Sequence, residues 1–195
     1  MRIFSGLYER ALSWAKHPHA TRYLGLLSFS ESSFFPIPPD VMLAPMVLAQ
    51  PQRAWSLAAL TTAASVLGGI AGYLIGALLF NEIGQPVVEF YQAHDAFEKV
   101  KAWFAAYGLW IVFLAGFTPI PYKLFTIASG VLALPMVPFV LASLVGRGAR
   151  FFLVAGLLFW GGERLEKFLK TRVDQIGWAT VGIVVVAAVF LKLVR

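Results

Sequence analysis

The chain has 195 residues, 59% of them hydrophobic and only 13% charged, with a mean hydropathy of +0.75, which is outside the composition of an ordinary soluble domain. It has no cysteine, which excludes disulfides, thiolate catalysis and thiolate metal sites. The net charge of +6 sits in short basic clusters beside apolar segments, so it reads as a topology signal and lipid-headgroup contact, not as a nucleic-acid face.

Residues 1–23 contain Arg2, Glu9, Arg10, Lys16 and Arg22 and have no sustained apolar centre, which argues against a cleavable signal peptide. Phe4, Leu7, Tyr8, Ala11, Trp14 and Ala15 recur near helical spacing. This predicts an amphipathic helix lying in a membrane interface, with a frayed soluble tail as the alternative. From Leu24 to Gln50 the chain is too apolar for a loop, yet Pro36, Pro38 and Pro39 interrupt it. Proline removes an amide donor and clashes with the preceding helical turn, so the segment divides into two arms, each about half a membrane thickness. A re-entrant helical hairpin over 24–50 is predicted.

After the polar stop Pro51-Gln52-Arg53, Ala54 to Phe80 carries no charge and is long enough to cross a bilayer. Gly68, Gly72 and Gly76 fall on one face of this helix, a spacing that lets another helix approach closely, although glycine is also simply common in membrane helices. Residues 81–101 are the longest polar stretch, with apolar residues at roughly helical intervals, and 81–104 is predicted to form an interfacial linker helix. A second interruption at Pro119 and Pro121 divides 105–134 into another pair of half-length arms, about 105–118 and 124–134. A crossing helix over 135–161 follows, with Arg147 and Arg150 near its middle. A basic loop and an uncharged run from Gln175 to Leu191 complete the chain, predicting a C-terminal transmembrane helix within 164–195.

Shifting Pro36, Pro38 and Asp40 by 83 positions lands on Pro119, Pro121 and Lys123, and the same shift carries 54–80 onto 137–163. The order is hairpin, helix, linker, hairpin, helix. A re-entrant hairpin returns to its own side whereas a spanning helix changes sides, so the second unit enters from the opposite face. The expected fold is therefore an all-α polytopic membrane protein built of two inverted-repeat units. Arg2, Arg10, Lys16, Arg22, Arg53 and the basic cluster at 164–172 share one side, which the positive-inside rule assigns to the cytoplasm together with the N-terminus.

Glu31, Asp40, Lys123, Arg147 and Arg150 all fall inside predicted membrane segments. A charge at mid-bilayer costs about 2.5 kcal/mol or more, so each needs a partner, water or a position near the interface. Arg147 and Arg150, three apart on one helical face, present two planar forks suited to phosphate or carboxylate. Two readings stay open: a mid-membrane polar cavity whose excess positive charge attracts an anionic headgroup, or a closed ion network that only locks the hairpins together. His17, His19 and His94 lie in polar flanks without companions at ligand spacing, so no metal or other cofactor is expected. Ser28, Ser30, Ser32 and Ser33 lack an accompanying base and serve the broken backbone, not catalysis.

The segments Glu31-Ser-Ser-Phe-Phe-Pro36-Ile-Pro38-Pro39-Asp40, Gly68-Gly-Ile-Ala-Gly72-Tyr-Leu-Ile-Gly76 and Phe117-Thr-Pro119-Ile-Pro121-Tyr-Lys123 together resemble the DedA family, also called the VTT or SNARE-associated membrane family, and within it the short YqaA-like branch. The likeness covers about Leu24 to Gly161. It implies a bacterial inner-membrane protein similar to members that move phospholipids or undecaprenyl phosphate between leaflets, with proton coupling proposed. By position, Glu31 and Asp40 match the acidic residues of the family's first hairpin, and Lys123 stands where an arginine is usual. Many members have a further arginine just before the second proline motif, where this chain has Gly116-Phe117.

The expected function is a non-enzymatic lipid flippase or scramblase, its partners being membrane lipids, anionic phospholipid or polyprenyl phosphate, with a homodimer possible through small-residue faces. The alternative is a structural or assembly factor that transports nothing.

Overall fold

The computed structural model describes residues 17–80, 82, 85–90, 92, 94–118 and 120–162, and at 87, 88 and 94 the backbone alone. The predicted interfacial helix over 1–23 falls mostly outside the described residues, as do Pro119 and the predicted C-terminal helix within 164–195. The described elements are α1 (Ala20–Ser33), α2 (Asp40–Ala49), a 3-10 turn (Pro51–Arg53), α3 (Ala54–Leu78), α4 (Gln85–Phe90), α5 (His94–Tyr107), α6 (Trp110–Phe117), α7 (Tyr122–Val131) and α8 (Met136–Gly162). The fold is all-helical, with no strand among the described residues. Residues 51–78, which include α3, and α8 are long and apolar enough to cross a membrane.

The short helices stop where proline dictates. Phe34 and Phe35 both return their amides to the Ser30 carbonyl, and the chain then leaves the helix through Pro36 and Pro38 until Pro39 caps α2. A proline is cheap there because the first amides of a helix have no partner in any case. Pro121 occupies the equivalent place before α7.

Contacts along α3 give the arrangement of the rest. Ser28 meets Thr61, Ser32 meets Ser65 and Ser33 meets Gly68, so α1 runs beside α3 in the same direction and ends near its middle. There α7 takes over: Tyr122 lies against Gly69, Thr126 against Gly72 and Ile127 against Gly76. The Thr126 hydroxyl donates to the Ser32 carbonyl at 3.1 Å, so α1 and α7 lie end to end on one face of α3. Helix α8 runs antiparallel to α3, with Trp160 beside Trp55, Arg147 beside Ser65 and Phe139 beside Tyr73. Helix α6 follows α8 in parallel, its Phe113 and Gly116 touching Gly146 and Arg147.

Two apolar clusters flank the level where α1 and α7 meet. One contains Leu24, Leu43, Met46, Leu57 and Phe151, the other Tyr73, Phe104, Phe125, Ile127 and Phe139. Between them lie buried polar residues, among them Ser32, Ser65, Lys123, Thr126 and Arg147.

Several boundaries differ from the sequence reading. Helix α1 begins at Ala20, not Leu24. Helix α5 continues to Tyr107 and ends at Gly108, whose φ of 59° is the left-handed conformation glycine adopts without strain. The arm before the second break is therefore the eight residues of α6, starting at Trp110 and not at 105. The single helix expected over 81–104 is two, with Gln92 at φ 49° between α4 and α5.

Candidate functional site

A cavity of about 550 Å³ opens where the two helix breaks face each other, and Glu31, Asp40, Lys123, Arg147 and Arg150 all line it. The five charges that stand out in the sequence are thus gathered around one space, with Pro36, Pro38, Pro39 and Pro121 on its wall. It lies near the half-length of both long helices, since Ser65 of α3 and Arg147 of α8 meet beside it. Gly68, Gly72 and Gly76 do not line it. They sit behind it, where an added Cβ would stand 2.1 Å from the Phe29 carbonyl oxygen, 2.3 Å from the Thr126 hydroxyl and 2.0 Å from the Ile127 carbonyl oxygen.

The two arginines, one helical turn apart, have different surroundings. Arg147 is 2% exposed. Its Nε donates to Ser65 Oγ at 2.5 Å and its Nη2 to Glu31 Oε2 at 2.5 Å, with Ser32 Oγ at 3.4 Å. Its guanidinium also lies 4.9 Å from the Tyr122 ring centre and 4.7 Å from that of Phe151, within range for favourable cation–π contact. Tyr122 is itself fixed by donating to Ser143 Oγ. Arg150 is more open, with 18% of its side chain exposed and 25% of that of its partner Asp40. Its Nη2 donates to Asp40 Oδ2 at 2.6 Å and its Nη1 to the Thr118 carbonyl at 2.7 Å. Asp40 Oδ1 is buried and accepts no hydrogen bond among the described residues.

Asp40 therefore pairs with Arg150, not with Lys123. The Lys123 ammonium reaches across the junction to the Phe35 carbonyl at 3.4 Å, joining α7 to the end of α1. Three cations and two carboxylates line the cavity. The N-terminal ends of α2 and α7 lie at the same level, because Asp40 and Lys123 belong to their first turns, and helix N-termini favour negative charge. The arrangement can receive an anion in an otherwise apolar surrounding.

Sequence reasoning did not find Ser65, Tyr122, Phe151 or the Thr118 carbonyl, which hold the arginines in place. The available signal is faint: Ser65 and Phe151 are ordinary residues of apolar helices, and only their register against Arg147 distinguishes them. The Gly116 position has a structural explanation. A Cβ there would stand 3.2 Å from the Arg147 backbone nitrogen, so α6 lies against α8 at this point, and the guanidinium next to the second break comes from Arg150.

Known proteins resemble the chain over most of its length. The VTT domain matches residues 36–159. An uncharacterized protein of Haemophilus influenzae is 45% identical over 98% of this chain and 100% of its own length. One from Histophilus somni is 42% identical over the same shares. Undecaprenyl phosphate transporter A of Staphylococcus aureus is 27% identical over 69% of this chain and 68% of its own. No solved structure matches the chain. With the VTT domain covering most of its length, and the prolines of both breaks and four of the five cavity charges, Asp40, Lys123, Arg147 and Arg150, inside the matched region, the chain belongs to the VTT-domain, or DedA, family of membrane proteins.

Proposed function

We propose that the chain is a lipid flippase or scramblase that carries an anionic headgroup, of a phospholipid or of undecaprenyl phosphate, past the middle of a bacterial inner membrane. The observation that carries this reading is the cavity at the junction of the two breaks, lined by more cations than carboxylates. A charged site at mid-membrane is costly to maintain and is a functional candidate by default. The name of the Staphylococcus aureus relative supports a polyprenyl phosphate as one candidate cargo.

In this reading 24–163 forms the transport domain. Helices α1 with α2, and α6 with α7, are re-entrant hairpins entering from opposite faces. Supporting this, α1 runs parallel to α3 and α6 parallel to α8, while α3 and α8 are antiparallel, as expected of a second unit that repeats the first upside down. Residues 1–23 and 164–195 flank this domain, with the N-terminus in the cytoplasm. Lys123 and Arg150 hold the phosphate. No covalent chemistry is required.

The test is reconstitution of the full chain in liposomes, following transbilayer movement of a fluorescent phospholipid and of undecaprenyl phosphate with and without a pH gradient. Movement by the wild type that falls about tenfold in Lys123→Ala, the loss of roughly one charge-assisted contact, supports the proposal. Folded wild type that moves neither lipid rejects it in favour of a structural factor.

A further inference from the structure

The two ion pairs of the cavity differ in what each partner would face if it let go. Glu31 lies in the last turn of α1, at the negative end of a helix dipole, where a carboxylate is disfavoured. Its partner Arg147 is almost fully enclosed, its guanidinium held by Ser65, Glu31 and the rings of Tyr122 and Phe151. Separating this pair would leave a nearly enclosed guanidinium without its carboxylate, the costly outcome for a buried ion pair. Asp40 is in the opposite situation. It is the first residue of α2, at the positive end of its own helix, which favours its charge with or without Arg150. It holds Arg150 by Oδ2 alone, Oδ1 being left without a hydrogen-bond partner among the described residues, and both side chains are partly open to the cavity.

We infer that Asp40 is an internal stand-in for the anionic ligand: its carboxylate occupies the Arg150 fork and is exchanged for a phosphate-bearing headgroup, whereas Arg147 with Glu31 is a fixed strut that binds no ligand. This rests on reading the cavity as an anion site. A phosphate offers three acceptor oxygens to a guanidinium that Asp40 engages with one, and the released carboxylate stays at the α2 N-terminus, whose dipole favours its charge. The exchange also has a mechanical consequence. Arg150 ties the start of α2, through Asp40, to the end of α6, through the Thr118 carbonyl. When phosphate takes Nη2, that tie opens at Asp40 and stays closed at Thr118, so headgroup binding loosens one hairpin from the other. The structure described here is then the latched state, in which the cavity's more accessible arginine is already occupied.

Such a latch reduces apparent affinity by the fraction of molecules that are open. The experiment titrates purified full-length chain in detergent with dioctanoyl phosphatidic acid and, in a separate arm, with inorganic phosphate, reading binding by thermophoresis. Asp40→Asn is expected to bind about tenfold tighter than wild type, the factor for a latch open in roughly a tenth of molecules. Asp40→Ser, with a shorter neutral side chain, checks the result if the amide is poorly folded. The gain should vanish in Asp40→Asn/Arg150→Gln, and Glu31→Gln should show no gain. Tightening in both arms assigns the exchange to the phosphate group itself; tightening in the lipid arm alone assigns it to a headgroup delivered with its chains. Folded Asp40→Asn and Asp40→Ser that bind no tighter in either arm overturn the inference, as does a gain that survives loss of Arg150 or appears equally in Glu31→Gln. Lipid movement in liposomes separates the two readings. Transport without tightening removes the latch and leaves the transporter, and tightening without transport does the reverse.

Discussion

Both halves of α3 bring backbones close, Gly68 to Phe29 of α1 as well as Gly76 to Ile127 of α7, but they differ in the hydrogen bonds they add. In the half facing α1, hydroxyls make directed bonds: Ser28 to the Thr61 carbonyl at 2.8 Å, Ser32 to Ser65 at 2.7 Å and Ser33 to the Gly68 carbonyl at 2.9 Å. In the half facing α7, contact is made by close approach of backbones. A Cβ on Gly76 would stand 2.0 Å from the Ile127 carbonyl oxygen, and one on Gly130 would stand 1.9 Å from that of Tyr73. Lipid chains are as apolar as leucine, so helices in a membrane associate through such hydrogen bonds and through tight packing, not through exclusion of water. The first mechanism distributes the energy over several replaceable bonds. The second concentrates it in a distance that a single methyl destroys.

The largest effect is expected where the two halves meet. Glu31→Gln leaves Arg147 charged and enclosed, and should lower stability by about 3 kcal/mol, measured by denaturant titration in mixed micelles. Adding Arg147→Met to it should recover most of that loss, because replacing both partners of a buried pair by uncharged groups is often nearly neutral. A double variant as unstable as the single one would mean the pair contributes net stability beyond avoiding a stranded charge. Next in size is the glycine seam. Gly76→Ala should cost about 2–3 kcal/mol, the overpacking penalty where only backbone stands in the way, read in the same titration. A cost below about 0.5 kcal/mol would show that α7 can retreat, and that the seam is not fixed by backbone distance.

How far the sequence reveals these features depends on their range. The glycine stripe is legible because residues four apart share a helix face, and the interruptions at 36–39 and at Pro121 are legible because proline has no amide to give. The charged residues are conspicuous in an apolar chain. Their pairing is not legible: Arg150 and Asp40 are separated by 110 positions and Arg147 and Glu31 by 116, and two arginines with two carboxylates and a lysine allow several combinations. The same holds for Ser65, one hydroxyl among several on α3, whose role comes from lying opposite both Ser32 and Arg147. The split of the linker at Gln92 carries no local signal, since glutamine is neither a glycine nor a usual left-handed residue. Gly108, by contrast, is a signal that reasoning from apolar length alone overlooks: an aromatic and aliphatic run continues past it while the helix does not.

The smallest prediction is the one that decides the comparison. Ser28→Ala removes the donor to the Thr61 carbonyl, yet that carbonyl keeps its place in the α3 ladder, and the deleted hydroxyl leaves no polar atom of its own unpaired. Hydrogen bonds between membrane helices average about 0.6 kcal/mol because the separated helices also find partners, so the expected loss is of that size. It should be several times smaller than at Gly76 although Ser28 is fully buried. Ser32→Ala should cost more than Ser28→Ala, since Ser32 also reaches Ser65 beside Arg147, and removing it loosens a hydrogen-bond chain that ends on a buried charge. Equal losses at Ser28, Ser32 and Gly76 would mean that α3 holds both neighbours in the same way, and that the contrast between its halves is one of residue type without energetic consequence.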